Sequence, residues 1–168
     1  DALIIATGAT AKYLGLPSEQ KFMGKGVSAC ATCDAAFFRN KKVIVVGGGD
    51  AAMEDALALA RFSRDVTLIH RRGELKASKI MQDRVMVSQK IKIVWKSEVV
   101  EVVSGEKLQG VKIKNIETGD ITEMQAEGLF LAIGHFPATG LFTGQVGLDD
   151  KGFLKTGITT GNDKVWLD

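Results

Sequence analysis

The stretch Val43-Ile44-Val45-Val46-Gly47-Gly48-Gly49-Asp50-Ala51-Ala52 constrains this chain more than any other. A β-branched run that breaks into three glycines and then into a helical pattern over residues 51–62 reads as strand, tight turn and helix. Val66-Thr67-Leu68-Ile69 supplies the next strand and closes a βαβ unit. A second helix is expected over residues 76–89, with Ile80, Val85 and Val87 among its apolar positions, and a strand over residues 91–95. From Glu98 the period falls to two. Segments 99–103, 111–114 and 121–124, separated by Gly105, Gly110 and the turn at residues 117–120, predict an antiparallel meander. Residues 129–133 return to a buried strand that ends at Gly134-His135. The expected class is α/β: a Rossmann-like dinucleotide-binding domain with a parallel sheet, flanking helices and an antiparallel β-meander.

The ends carry weaker signals. Residues 2–6 read as a buried strand stopped by Thr7-Gly8-Ala9. Residues 10–29 read as connection, because Gly15, Pro17, Gly24 and Gly26 lie too close together for a long helix. Ser28 is placed to cap a short helix through residues 30–38. The tail from Ala138 to Asp168 is glycine-rich and weakly patterned, without a clear finishing element. Asp1 opens directly into an apolar run, as expected of a piece of a longer polypeptide.

With 45% hydrophobic and 25% charged residues the chain is expected to be globular rather than disordered. Its net charge of +2 is too small to argue for nucleic acid or an anionic membrane. No apolar run reaches the roughly 18 residues of a spanning helix, and no signal peptide is read at the start, so a cytoplasmic location is expected. In a reducing compartment, a spaced cysteine pair points to catalysis or metal binding before structural cross-linking.

Gly47-Gly48-Gly49-Asp50-Ala51-Ala52 fits the G-x-G-x-x-G/A pattern in the context the pattern requires. Gly47 permits the turn, Gly49 lets backbone approach a pyrophosphate, and Ala52 lets the helix pack against the strand. A glycine turn serving packing alone is the plainer alternative. An NAD site would place a carboxylate at the end of the second strand, whereas this chain has His70-Arg71-Arg72, with Lys76 beyond. Guanidinium forks suit a 2′-phosphate, so these residues favour NADPH over NADH; a solvated basic loop is the alternative.

Cys30-Ala31-Thr32-Cys33-Asp34 contains the only two cysteines. Three readings are open: a redox disulfide, a pair of inert thiols, or zinc. Zinc would need further ligands, and His70 and His135 lack ligand spacing, so no metal is expected. A thiol pair at a helix N-terminus favours thiolate, and Asp34 could move a proton as acid or base, or face solvent. Hydride from a nicotinamide normally passes through a flavin before it becomes thiol chemistry, yet only one glycine fingerprint is present.

Ser28-Ala29-Cys30-Ala31-Thr32-Cys33-Asp34, Val46-Gly47-Gly48-Gly49-Asp50 with Glu54, His70-Arg71-Arg72 and Ala132-Ile133-Gly134-His135 closely resemble low-molecular-weight thioredoxin reductases, in order and spacing, over essentially the whole chain. The resemblance implies an NADPH-binding domain inserted into an FAD-binding domain, in a homodimeric flavoenzyme that acts on thioredoxin. Residues 1–11 and 138–168 would then be edges of the FAD domain and residues 12–137 the NADPH domain, swivelling near residues 10–12 and 134–138. It further implies that Cys33 faces the flavin, Cys30 attacks the thioredoxin disulfide and Asp34 is their acid–base partner. Arg71, Arg72 and Lys76 would hold the 2′-phosphate, and Ile133 and Gly134 would belong to the nucleotide site. The chain departs from the pattern at Lys76, where the family commonly has Arg, and in lacking the FAD glycine motif and the Gly-Asp-bearing FAD segment. Two alternatives accompany this reading: an NADPH-binding module inactive alone, and a related flavoprotein reductase with another thiol partner.

Overall fold

The computed structural model describes residue 4 and residues 6–155. Most of the strand expected over residues 2–6, and the tail beyond residue 155, lie outside the described residues. The chain divides into two compact units, one of residues 1–11 with 135–168 and one of residues 12–134. In the smaller unit, β1 (Ala9–Ala11) pairs antiparallel with β10 (His135–Pro137), and the Thr139 hydroxyl donates to the Gly152 carbonyl at 2.6 Å.

The larger unit is built on five parallel strands in the order β2 (Val27–Ser28), β9 (Gly128–Ala132), β3 (Lys42–Gly47), β4 (Asp65–Ile69) and β5 (Ile91–Val94). Helix α3 (Asp50–Ala60) connects β3 to β4, and α4 (Lys79–Met86) connects β4 to β5. Strands β6 (Ser97–Ser104), β7 (Leu108–Asn115) and β8 (Ile121–Gln125) form the expected antiparallel meander.

The alternation along β3 explains why its buried run Val43–Val46 is apolar at every position. Val43 and Val45 pack with Ala52, Met53, Ala56 and Leu59 on the helix side. Ile44 and Val46 pack with Val99, Val102, Val111 and Ile113 of the meander. A sheet covered on both faces needs apolar residues at every position, not at alternate ones. The two helices thus lie on one face and the meander on the other.

Three expectations are corrected. Residues 10–29 are not all connection: they contain the last two residues of β1, the short α1 (Pro17–Lys21) and the edge strand β2, which at two residues is too short to show a period. The helix over residues 30–38 is one α turn, α2 (Ala31–Asp34), continued by a 3-10 turn over Ala35–Phe38, and its cap is Cys30, not Ser28. Helix α4 is shorter than residues 76–89 and buries Val85, while Ile80 and Val87 are 68% and 80% exposed. The late start has a cause. The N–H groups of Lys76 and Ala77 both donate to the Gly48 carbonyl, at 2.7 and 3.0 Å, which holds this segment as a loop against the glycine turn.

Off the sheet edge, the Lys112 ammonium on β7 is held above its usual range, first by its hydrogen bond to Glu101 on β6 and then by that carboxylate's charge. Phe130 of β9 is fully buried and meets Phe38 edge-on, with ring centroids 5.0 Å apart. Phe130→Ala is therefore expected to cost about 3–5 kcal/mol, and Ile80→Ala less than about 0.5 kcal/mol. Urea unfolding of the two variants checks this, and equal costs would contradict the placement of the core.

Candidate functional site

Parallel strands bring all their carboxyl ends to one edge. Along that edge lie, in strand order, Cys30 beyond β2, Ile133 and Gly134 beyond β9, the glycine turn beyond β3 and His70-Arg71-Arg72 beyond β4. Chain order reverses on either side of β3: β4 and β5 lie on one side, β9 and β2 on the other. Such a switch point opens a crevice at the carboxyl edge of an α/β sheet. A cleft of about 670 Å³ occupies this place.

Eleven of the twelve residues expected to bind a cofactor line the cleft: Gly47, Gly48, Gly49, Asp50, Ala51, His70, Arg71, Arg72, Lys76, Ile133 and Gly134. Ala52 does not. It is fully buried beneath Gly47, packing the helix against the strand.

The three glycines differ in what surrounds them. A methyl on Gly47 would come within 2.5 Å of the Ala132 carbonyl oxygen and 2.7 Å of the Ala52 Cβ, and one on Gly48 would overlap the His70 imidazole. Packing inside the protein accounts for both. At Gly49 nothing lies within 4 Å of such a methyl, and its φ of −96° is open to any residue. Protein packing gives no reason for glycine there. The direction a side chain would take is open to a ligand at the N-terminus of α3, where backbone N–H groups and the helix dipole favour a phosphate.

The basic end is held in register with this turn. Besides the two bonds to the Gly48 carbonyl, Asp50 at the start of α3 accepts from the Ser78 N–H at 2.7 Å and the Ser78 hydroxyl at 2.9 Å. Arg71, Arg72 and Lys76 are exposed along the loop thus tethered. His70 is buried, set edge-on to Trp95, and among the described residues its Nε2 has no hydrogen-bond partner. It is a wall of the cleft rather than a further exposed cation.

Cys30 and Cys33 are joined by a disulfide. The Cys30 Sγ accepts from the Cys33 N–H at 3.2 Å and lies 3.5 Å from the Thr32 Oγ1, while Ser28 Oγ accepts from the Cys30 N–H at 3.0 Å. Cys33 is exposed, and Cys30 and Asp34 are half-buried. Among the described residues, no group of three or more His, Cys, Asp or Glu side chains is placed to hold a metal ion. No described helix is long and apolar enough to cross a membrane. The sequence reading missed Lys12, Ser97 and Glu98, which also line the cleft. Nothing in their spacing marks them, since they reach it through the sheet topology.

Fold and site together define a dinucleotide-binding α/β unit that carries a two-cysteine disulfide on the same sheet edge. The family model for pyridine nucleotide-disulphide oxidoreductases matches residues 1–166, and the chain belongs to that family. It is 51% identical over 154 residues to the thioredoxin reductase of Streptomyces coelicolor, covering 92% of this chain and 48% of that protein. Against the thioredoxin reductase of Rickettsia conorii it is 49% identical over 164 residues, covering 95% of this chain and 53% of that one. The crystal structure of Lactococcus lactis thioredoxin reductase superposes with a TM-score of 0.83 at 39% identity, over 90% of this chain and 50% of that chain. The chain thus spans about half the length of the curated relatives it matches.

The contrast between the glycines is testable. Gly49→Val is expected to keep the unfolding free energy within about 1 kcal/mol and to abolish dinucleotide binding, whereas Gly47→Ala costs about 1–3 kcal/mol through overpacking. Chemical denaturation and nucleotide titration of both variants read the two effects. Full nucleotide affinity in Gly49→Val would remove Gly49 from the site.

Proposed function

We propose that this chain is the NADPH-binding and disulfide-bearing part of a thioredoxin reductase, a flavoprotein that reduces the thioredoxin disulfide. The observation that carries this reading is the shared sheet edge: the glycine turn of a cleft with one strongly basic end lies beyond β3, and the cysteine disulfide lies beyond β2, two strands away along the same row of strand ends.

In this reading the Arg71 and Arg72 guanidinium groups bind the 2′-phosphate of NADPH through paired N–H donors, and the Lys76 ammonium adds a point charge. Gly49 leaves the room through which the pyrophosphate meets the start of α3. Ile133 and Gly134 floor the opposite end. FAD, when bound, supplies two-electron transfer between the nicotinamide and the Cys30–Cys33 disulfide. The glycine turn beyond β3 is read as the NADPH turn, and FAD is assigned to a second domain of the whole enzyme. Residues 1–11 and 138–168 are read as edges of that FAD-binding domain and residues 12–137 as the NADPH domain; the division into compact units near the same positions supports this. The whole enzyme is read as a cytoplasmic homodimer.

Once the Cys30–Cys33 pair is reduced, the Cys30 thiolate attacks one sulfur of the thioredoxin disulfide, forming a mixed disulfide and releasing a thioredoxin thiolate. The Cys33 thiolate then attacks the Cys30 Sγ, which restores the Cys30–Cys33 disulfide and releases the second thiolate. Asp34, directly after Cys33, gives a proton to a departing thiolate and takes one when the pair is next reduced. The Cys33 N–H that points at the Cys30 Sγ stabilises negative charge on that sulfur.

Cys30→Ser in the complete flavoenzyme is expected to abolish thioredoxin reduction while leaving flavin reduction by NADPH in place. Stopped-flow absorbance reads the flavin and an insulin-coupled assay reads thioredoxin. Sustained turnover by the variant would overturn the assignment of Cys30 as nucleophile.

A further inference from the structure

The two residues between the cysteines have different surroundings. Ala31 is fully buried in the core under the sheet, whereas Thr32 is exposed and lies outside it. Packing therefore accounts for the alanine but not for the threonine. The Thr32 hydroxyl stands 3.5 Å from the Cys30 Sγ, and a disulfide sulfur carries no proton, so the hydroxyl is the donor. The Cys33 N–H reaches the same sulfur from 3.2 Å. Two donors thus converge on the Cys30 sulfur, and among the described residues the Cys33 sulfur accepts no such bond. The N–H would be present with any residue at position 32. The hydroxyl is what Thr32 adds.

We propose that Thr32 is a further catalytic residue, whose hydroxyl donates to the Cys30 thiolate. A hydrogen bond to an ionised acceptor is about twice as strong as one to a neutral acceptor, so this contact gains most when the Cys30 sulfur becomes negative. That happens at two points. When one thiolate of a dithiol attacks the exposed Cys33 Sγ, a bond forms to that sulfur and the Cys30–Cys33 bond breaks. Its electron pair departs on Cys30, where both donors face it. The second thiolate of the dithiol then cuts the mixed disulfide and releases Cys33, leaving the dithiol oxidised and the pair reduced. The second point comes when Cys30 attacks a partner disulfide, since the hydroxyl has kept a larger fraction of it ionised at neutral pH. The bond also lowers the reactivity of each thiolate, but nucleophilicity follows basicity with a slope of only about 0.4–0.5, so the gain in population is the larger effect.

The inference rests on the reading of Cys30 as the nucleophile, and the test separates the two. The unmodified chain, Thr32→Val and Thr32→Ser are reduced with dithiothreitol, freed of it, and treated briefly with limiting iodoacetamide at neutral pH. Fragmentation mass spectrometry locates the label and gives a rate for each cysteine. In the unmodified chain Cys30 is expected to react faster than Cys33. Thr32→Val, which keeps the shape and loses the hydroxyl, should slow Cys30 by about threefold to fivefold and leave Cys33 unchanged. Thr32→Ser should keep the Cys30 rate. An unchanged Cys30 rate in Thr32→Val overturns the role of Thr32. An equal loss at both cysteines overturns it too, by showing that the side chain only holds the turn, as does a Thr32→Ser chain as slow as Thr32→Val. Faster labelling of Cys33 than of Cys30 in the unmodified chain overturns the nucleophile reading, and this inference with it.

Discussion

One carbonyl ties the site together. Gly48 accepts from both the Lys76 and Ala77 N–H groups, and through those bonds the loop after β4 is fastened to the turn after β3. The Asp50 carboxylate repeats the tie two residues later by accepting from Ser78 at the start of α4. Without these bonds the exposed Arg71, Arg72 and Lys76 would be cations on a loop of undefined position. With them, their distance from the helix N-terminus is set by main-chain geometry, the condition for recognising two phosphates at a fixed separation.

The same turn depends on the sheet being covered twice. Gly47 sits so close to the Ala132 carbonyl and the Ala52 Cβ that β3, β9 and α3 converge at one point. That convergence is held by helix packing on one face and the meander on the other. The meander therefore has a role in the site although it supplies few of its groups: it buries the face carrying Ile44, Val46 and Ile69, and it brings Ser97 against the His70 carbonyl.

Much of this was legible in the sequence, because the central strand of the sheet carries a continuous apolar run, Val43–Val46, and the glycine turn follows it at once. The order β3, α3, β4 and the meander follow from periodicity alone. Edge strand β2 was not legible, since two residues carry no period, and α4 began late because tertiary bonds to Gly48 competed with helix formation over residues 76–78. Cys30 as the cap of its own helix was hidden by Ser28, the more usual capping residue, which instead accepts from the Cys30 N–H. Of the cleft, the residues adjacent to the glycine and arginine motifs were readable. Lys12 was not, because it is far from both in sequence and arrives through the pairing of its backbone with Gly134.

The central claim is that the glycine turn and the tethered arginines form one site for a dinucleotide bearing a 2′-phosphate. Parallel titrations of the chain with NADPH and NADH test it most directly, because the two ligands differ only in that phosphate. The account predicts that NADPH binds at least about tenfold more tightly, the gap closing as salt is raised. Equal affinity for the two nucleotides would contradict it.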